Sequence, residues 1–374
     1  MDVVAKPGST PPAAPRKLFT VLDLDGRVDP ESDPKLDAAL VKRIYEAMVR
    51  TRLVDARLLK LQRQGRIGFH VGSEGEEAAI IASTAALRDD DWIFPCYREW
   101  GAALYRGFSL QAYIDNMYGN GNDVVKGRQM PDHIVATGVK FGSITAPIGT
   151  QITQAVGFAW AAQRKREAIV TASYFGDGAT SSNDFHAGMN FAGVYQVPTL
   201  FLLRNNGWAI SVPTEQQTHS RTFADKGLGY GVSAMRVDGN DALAVYSVTR
   251  SAVERALRGE GPTLIELVTY RAGAHSSSDD PSAYRVNLEV DEAARRDPLR
   301  RLRAYLERHH AYSAADQVAL EERVQAELNV CIERAEAAPA PSIESMFEDV
   351  FEELPPHLRE QRDECVNGPR AKRH

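Results

Sequence analysis

Two apolar, β-prone runs in this chain each end in a polar turn bearing a hard oxygen donor, and that pairing restricts the fold more than any other feature. Residues 168–175 are apolar and β-prone, Gly176-Asp177-Gly178 follows, and residues 184–192 then take up helical spacing. A second run, residues 197–203, stops just before Asn205-Asn206. Strand, turn, helix and strand in this order predict parallel neighbours, so Asp177 and Asn206 fall at the carboxyl edge of one sheet, where such sheets bind ligands. Glycine on both sides of Asp177 lets the backbone approach a ligand closely, and the N–H groups opening the next helix can receive an anion. A carboxylate and an amide oxygen suit Mg2+ or Ca2+, ions that commonly bridge a protein to a diphosphate.

The flanking sequence extends the alternation. A helix is expected after Gly149 to about Arg166, a short strand at 235–237, a helix over 242–257 and a strand over 263–269. Strands alternating with helices predict an α/β fold, a parallel sheet with helices on both faces. Upstream, Asp33-Pro34 is a candidate helix start, and Leu40, Ile44, Met48, Leu53, Leu58 and Leu61 keep helical spacing up to Gly65. Between 89 and 147 many Gly, Pro and aromatic residues interrupt any period, and long irregular segments in compact enzymes are usually functional. Residues 1–34, with Pro11-Pro12 and Pro30, Asp33 and Pro34, lack periodic apolar content and read as an extended or partly disordered N-terminal arm. The main domain spans 35–337, its last part charged and helical beyond Pro298. A tail, 338–374, begins at Pro339-Ala340-Pro341 and is expected to pack on a neighbouring subunit.

At 374 residues the chain can bury a large core. A net charge of −6 spread over mixed signs argues against a nucleic-acid surface, leaving a small molecule or a protein as partner. Cys96, Cys331 and Cys365 are widely separated and match neither a disulfide framework nor a zinc pattern, which points to a reducing compartment. No apolar run is long enough to cross a bilayer, and the N-terminus lacks the apolar core of a secretion signal. The expected location is cytoplasmic, or the mitochondrial matrix if the source is eukaryotic.

Gly176-Asp177-Gly178 joined to Asn205-Asn206 resembles the thiamin diphosphate motif. Gly127-Arg128-Gln129-Met130-Pro131, Arg204 to Ser211, Val237-Asp238-Gly239-Asn240-Asp241 and Tyr270 to Arg285 resemble the alpha subunit of the 2-oxoacid dehydrogenases, the last segment being nearest the branched-chain enzyme. The likeness is nearly continuous from about Leu36 to about Leu354. It implies the thiamin diphosphate-binding fold, its diphosphate-binding domain, with a helical C-terminal segment.

By this resemblance, Asp177 and Asn206 supply side-chain oxygens to Mg2+ and Trp208 its backbone carbonyl, while the Gly178 and Ala179 amides face phosphate oxygens. Arg204 is a diphosphate partner, since guanidinium forks match phosphate oxygens. Tyr97 and Arg98 match a pair near cofactor and substrate, but Cys96 stands where mammalian branched-chain relatives carry glutamine, so that contact is not carried over. His275 is the implied catalytic group, binding the diphosphate and helping to bring the acyl group to reductive transfer. Ser276 aligns with a serine that a dedicated kinase modifies in animal relatives; a phosphate there adds about −1.5 to −2 charge beside the diphosphate. Ala146 belongs to a segment presenting backbone carbonyls to the aminopyrimidine, and Ile148 is the apolar wedge under the bent cofactor. Thr145, Pro147, Thr150 and Gln151 form a candidate K+ site. His186 reads as structural, and Ser182 replaces a glutamate usual in relatives.

The glutamate that raises the basicity of the aminopyrimidine belongs, in this family, to the beta subunit. The resemblance therefore implies a heterotetramer of two alpha and two beta chains that decarboxylates a 2-oxoacid and passes the acyl group to a lipoyl arm of an acyltransferase core. Pyruvate or acetoin remains an alternative to a branched-chain substrate. A cofactor-free structural subunit and a transketolase-like enzyme are the readings from other classes.

Overall fold

Alternate residues of the central strands face two different cores, and the helices divide accordingly. The computed structural model describes residues 18–285 and 294–369. In chain order the strands are β1 (Trp92–Phe94), β2 (Thr171–Gly176), β3 (Thr199–Asn205), the short β4 (Trp208–Ala209) and β5 (Val212–Pro213), β6 (Ser233–Asp238) and β7 (Thr263–Val268). Five of them form one parallel sheet in the order β1-β2-β3-β7-β6, with β4 and β5 paired antiparallel beside it. Ala172, Tyr174, Leu200, Leu202, Ile265 and Leu267 turn to one face, where they meet α1 (Ala38–Arg63), α2 (Glu77–Ala86) and α9 (Ala242–Leu257). Phe175, Phe201, Leu203 and Leu264 turn to the other, against α5 (Thr150–Lys165) and α6 (Asn183–Tyr195). The period of two in each strand thus feeds two cores, and the expected parallel sheet covered on both faces is the fold observed.

Helix α1 begins later than Asp33-Pro34. Asp33 instead accepts the Lys35 N–H at 2.8 Å in a local turn, Lys35 has φ 50, and Asp37 caps the helix through the N–H groups of Ala39 (2.9 Å) and Leu40 (3.2 Å). Two short helices, α3 (Trp100–Tyr105) and α4 (Leu110–Tyr118), lie in the irregular region, 119–149 holds only a 3-10 turn at Thr137–Val139, and two single-turn helices, α7 (Thr214–Gln217) and α8 (Asp225–Leu228), stand between β5 and β6.

The arm does more than the prolines suggested. Phe19 extends the sheet by a parallel bridge to Val237 on β6, and Val21 and Leu22 are buried in the core. Their N–H groups donate to Asp241 Oδ2 at 2.7 and 2.6 Å, while Asp241 Oδ1 caps α9 through Leu243 and Ala244. One buried carboxylate therefore ties the arm, β6 and α9 together. Residues 1–17, the rest of that reading, lie outside the described residues.

The charged C-terminal stretch is two helices, α10 (Pro298–His309) and α11 (Ala314–Ala337), broken where Ala311 takes φ 51 and Ser313 opens a capping box with Asp316. Of the tail, Pro339 accepts the Gly121 N–H at 2.7 Å and Asp349 pairs with Lys126 and Arg128, so its first part packs on its own chain. The last helix, α12 (Pro356–Asn367), buries no residue. No helix among the described residues is long and apolar enough to cross a membrane.

Candidate active site

Four adjacent strands, β1, β2, β3 and β7, deliver the segments that follow them to one cavity at the carboxyl edge of the sheet. It has a volume of about 550 Å³, in the size range of cofactor sites. Cys96, Tyr97 and Arg98 come from beyond β1, Asp177, Gly178 and Ala179 from beyond β2, Arg204, Asn206 and Trp208 from the end of β3, and Arg271 and His275 from beyond β7. Ala146 and Ile148 close it from the loop before α5, where Ile148 stays 45 % exposed, an apolar side chain at the rim. The parallel register aligns Gly176 with Arg204 and Asn205 with Val268, which brings residues distant in sequence to one level.

The Gly-Asp-Gly turn differs in detail from the expected strand-to-helix junction. A 3-10 turn, Asp177–Ser181, stands between β2 and α6, and Ser182 caps α6 by accepting the Phe185 N–H at 3.2 Å. The two glycines also serve different ends. A Cβ on Gly178 would sit 2.7 Å from that of Ala209, so close packing on β4 requires this glycine, whereas a Cβ on Gly176, which also lines the cavity, would meet no protein atom within 4 Å.

Asp177 is only 1 % exposed. Burial pushes its carboxyl up to about 6 against the hydrogen bond that Gln217 Nε2 donates at 2.6 Å. Asn206 donates its Nδ2 to Glu76 Oε1 at 3.0 Å, which fixes the amide so that Oδ1 faces away from Glu76 and accepts the Trp208 N–H at 3.2 Å. The carboxylate of Asp177 and the amide oxygen of Asn206, from residues lining one cavity, fit a hard divalent cation, and the Trp208 carbonyl, the third expected donor, accepts from Arg271 at 3.4 Å. Among the described residues no group of three or more His, Cys, Asp or Glu gathers into a metal cluster. Such a cation would depend on oxygens of its ligand to complete its shell.

Cationic groups crowd the other side. Arg98 donates through one nitrogen to Gly72 O and through the other to His275 O at 2.6 Å, the latter also lying 3.1 Å from His275 Nδ1. Arg271 donates to Ile210 O at 2.8 Å and to the Tyr284 hydroxyl at 3.0 Å, with His275 Nδ1 at 3.4 Å. Burial, then the charges of Arg98 and Arg271, pull the His275 imidazole down to about 4, so it is neutral at physiological pH. With Nδ1 facing two guanidinium groups as an acceptor, the proton sits on Nε2. Burial and the Arg98 charge likewise lower Arg271. Positive groups held this close favour an anion in the cavity.

Arg204 is not a free diphosphate partner. It is buried, and its two terminal nitrogens pair with Glu76 and Glu99. Glu99 is pushed up by burial, while Glu76 is held low by Arg204 and Arg98 in spite of its burial. Burial pushes the Cys96 thiol and the Tyr97 phenol each up to about 12, so both are neutral wall groups.

Ser276 points elsewhere. His275 lines the cofactor-sized cavity, but Ser276 lines a second one of about 500 Å³ behind the loop, together with Asp55, Glu74, Asp279 and Asp280. A negative group on Ser276 would therefore enter a space of mixed charge, with Arg63, His70 and Arg271 beside the four carboxylates. At the candidate K+ site, Thr145 Oγ1 is buried with no partner and Gln151 donates Nε2 to Tyr174 O at 2.9 Å, while the Thr150 carbonyl accepts from Thr153. Pro147 is exposed beside them. His186 is exposed and paired with the Tyr230 hydroxyl, a structural arrangement away from the cavity.

Sequence reasoning missed Glu76, Glu99, Gln217 and the inward role of Arg271. Glu76-Glu77 reads as ordinary acidic dressing at a helix start, yet both are fully buried at the head of an Ala/Ile-rich helix. Two consecutive acids opening an otherwise apolar helix were the available signal.

The family described as "Dehydrogenase E1 component" matches residues 45–344. "2-Oxoisovalerate dehydrogenase subunit alpha 1, mitochondrial" of Arabidopsis thaliana is 42% identical over 355 residues, 94% of this chain and 75% of that protein. The "2-oxoisovalerate dehydrogenase subunit alpha, mitochondrial" of Homo sapiens is 41% identical over 348 residues (92% and 78%), and that of Dictyostelium discoideum 40% over 351 (93% and 80%). The matched residues 45–344 take in the parallel sheet and the residues that line the cavity, and the chain belongs to the dehydrogenase E1 component family.

Proposed function

We propose that this chain is the alpha subunit of a branched-chain 2-oxoacid dehydrogenase, which with a beta subunit carries out thiamin diphosphate-dependent decarboxylation and passes the acyl group to a lipoyl arm of an acyltransferase. The observation that carries the reading is the convergence of Asp177, Asn206, Arg98, Arg271 and His275 on one cavity at the sheet's carboxyl edge. When bound, thiamin diphosphate supplies the electron sink for decarboxylation.

This chain's part is to hold the diphosphate and handle a proton at the cavity mouth. Asp177, Asn206 and the Trp208 carbonyl would hold Mg2+, which compensates the burial of the carboxylate as well as of the phosphates. Glu76 keeps the Asn206 amide in the orientation that presents oxygen rather than nitrogen. Arg98 and Arg271 orient His275 by its Nδ1 and leave the protonated Nε2 as the nitrogen free to donate. The apolar Ile148 helps to exclude water at the rim. Thr145 Oγ1, buried and unpartnered, supports a monovalent cation with Thr145, Pro147, Thr150 and Gln151, whose neutral oxygens suit K+.

A beta partner is implied by the alpha-subunit class, in an assembly read as two alpha and two beta chains. The exposed apolar residues Met346, Val350 and Phe351 in the tail support its contact with a neighbouring subunit. The test is to co-purify the chain with its beta partner and follow reduction of an artificial electron acceptor by 2-oxoisovalerate. Turnover that requires thiamin diphosphate and Mg2+ supports the reading, and a cofactor-independent or absent reaction in a correctly assembled complex removes it.

A further inference from the structure

Outside the cavity, the imidazole of His70 is buried between two carboxylates. Nε2 lies 2.8 Å from Asp55 Oδ1, on α1, and Nδ1 lies 3.2 Å from both oxygens of Asp132. The remaining faces are closed by Tyr113 of α4, whose hydroxyl donates to Asp132 at 2.6 Å, and by the Trp100 ring of α3, while the charge of Arg98 reaches Asp55. Two carboxylates on the two ring nitrogens require both to carry protons, so the ring is an imidazolium. The same carboxylates also grip the backbone: Asp132 accepts the Val71 N–H at 2.6 Å, and Asp55 accepts the Ser73 N–H at 2.7 Å.

This pinned segment touches the His275 loop twice. The His70 carbonyl accepts the Ser277 N–H at 2.9 Å, and the His70 N–H donates to Ser277 Oγ at 3.1 Å. Gly72 O, two residues on, receives Arg98, which itself donates to the His275 carbonyl. We infer that His70 is a positioning residue: its charge locks Asp55 and Asp132 around segment 70–73, and that segment sets the loop that carries His275.

Loss of the charge would leave one carboxylate facing a ring lone pair and push the segment apart. Burial alone would lower the His70 imidazole, but Asp132 and Asp55 overrule it and push it up to about 10. With a raised value, the stabilisation is complete below the ordinary histidine range and is lost as pH rises through about 10.

That the loop matters for turnover rests on the function proposed above, but its coupling to His70 can be read without turnover. Amide protection factors of His275, Ser277 and Asp279 are measured in the assembled alpha–beta enzyme between pH 7 and 9.5 for the wild type, Asp132→Asn and His70→Gln. Wild-type protection should fall steadily across this range, because an opened segment frees an imidazole with the ordinary proton affinity of histidine. Asp132→Asn, which leaves the imidazolium one carboxylate, should be at least tenfold lower at pH 7 and approach the wild type towards pH 9.5, and His70→Gln should be at least tenfold lower at pH 7 with no such pH dependence. Protection within twofold of the wild type at every pH in Asp132→Asn overturns the inference, even if His70→Gln does not fold. A pH-independent loss spread evenly over the whole chain also overturns it, because that is the signature of a merely structural cluster. A wild-type enzyme that fails to turn over but keeps these protection patterns would count against the function and leave the positioning intact.

Discussion

Asp177 is buried with a neutral amide, Gln217, as its donor and no basic side chain in contact, an arrangement that gains most from a bound cation. Replacing it with alanine should weaken Mg2+-dependent thiamin diphosphate binding about 100-fold or more while leaving the fold intact, since removing one partner of a buried charge pair costs several kcal/mol. Calorimetric titration of the assembled enzyme reads this directly, and an unchanged affinity would refute the ligand role. His275 makes a second claim at this scale. Neutral at pH 7 and protonated on Nε2, it should be needed more for acyl transfer to lipoate than for decarboxylation with an artificial acceptor. His275→Ala should therefore lose about tenfold more in the first assay than in the second, a share of what one general acid provides; equal losses would end that division of labour.

At the level of elements, the molecule depends on a few buried carboxylates that serve two elements at once. Asp241 caps α9 and holds the arm's Val21 and Leu22. Asp241→Ala should cost about 3 kcal/mol, roughly 1 for the cap and the rest for two stranded N–H groups, whereas Asp37→Ala at the exposed cap of α1 should cost about 1 kcal/mol. Denaturant midpoints of the two variants compare them, and equal losses would mean that the arm contributes nothing through Asp241. The loop after β7 behaves as an element too. Ser276 shares its cavity with Asp55, Glu74, Asp279 and Asp280 against Arg63, His70 and Arg271, so Ser276→Glu adds to the carboxylate excess and should loosen the loop and lower activity, with faster proteolysis between 271 and 285. Full activity with unchanged proteolysis would show that the loop tolerates the charge.

For the whole molecule, β2, β3, β6 and β7 and the helices α5, α6 and α9 were legible because each carries its own period and punctuation, whereas the short elements between 206 and 232 are too brief to show one. Helix α9 falls at Ala242–Leu257 as read, and α5 ends within a residue of expectation. The start of α1 was misplaced because Asp33-Pro34 and Asp37 are both plausible caps, and only the left-handed Lys35 between them decides. The arm's core role was invisible because two apolar residues make no period, and their burial depends on the distant Asp241. In the site, Asp177, Asn206 and His275 could be named from motifs, but the Glu76–Arg204–Glu99 pairing could not, since it joins three segments that only the sheet brings together.

The function proposed for the assembled enzyme is thiamin diphosphate-dependent decarboxylation of a branched 2-oxoacid. The most direct test is kcat/KM of the assembled enzyme for 2-oxoisovalerate and for pyruvate, each with and without thiamin diphosphate and Mg2+. One or two extra methyl groups in an apolar pocket are worth about 1–3 kcal/mol each, so the branched acid should be preferred by roughly ten- to a few-hundred-fold, with no turnover in the absence of cofactor. A preference for pyruvate, or turnover that survives removal of thiamin diphosphate, would contradict it.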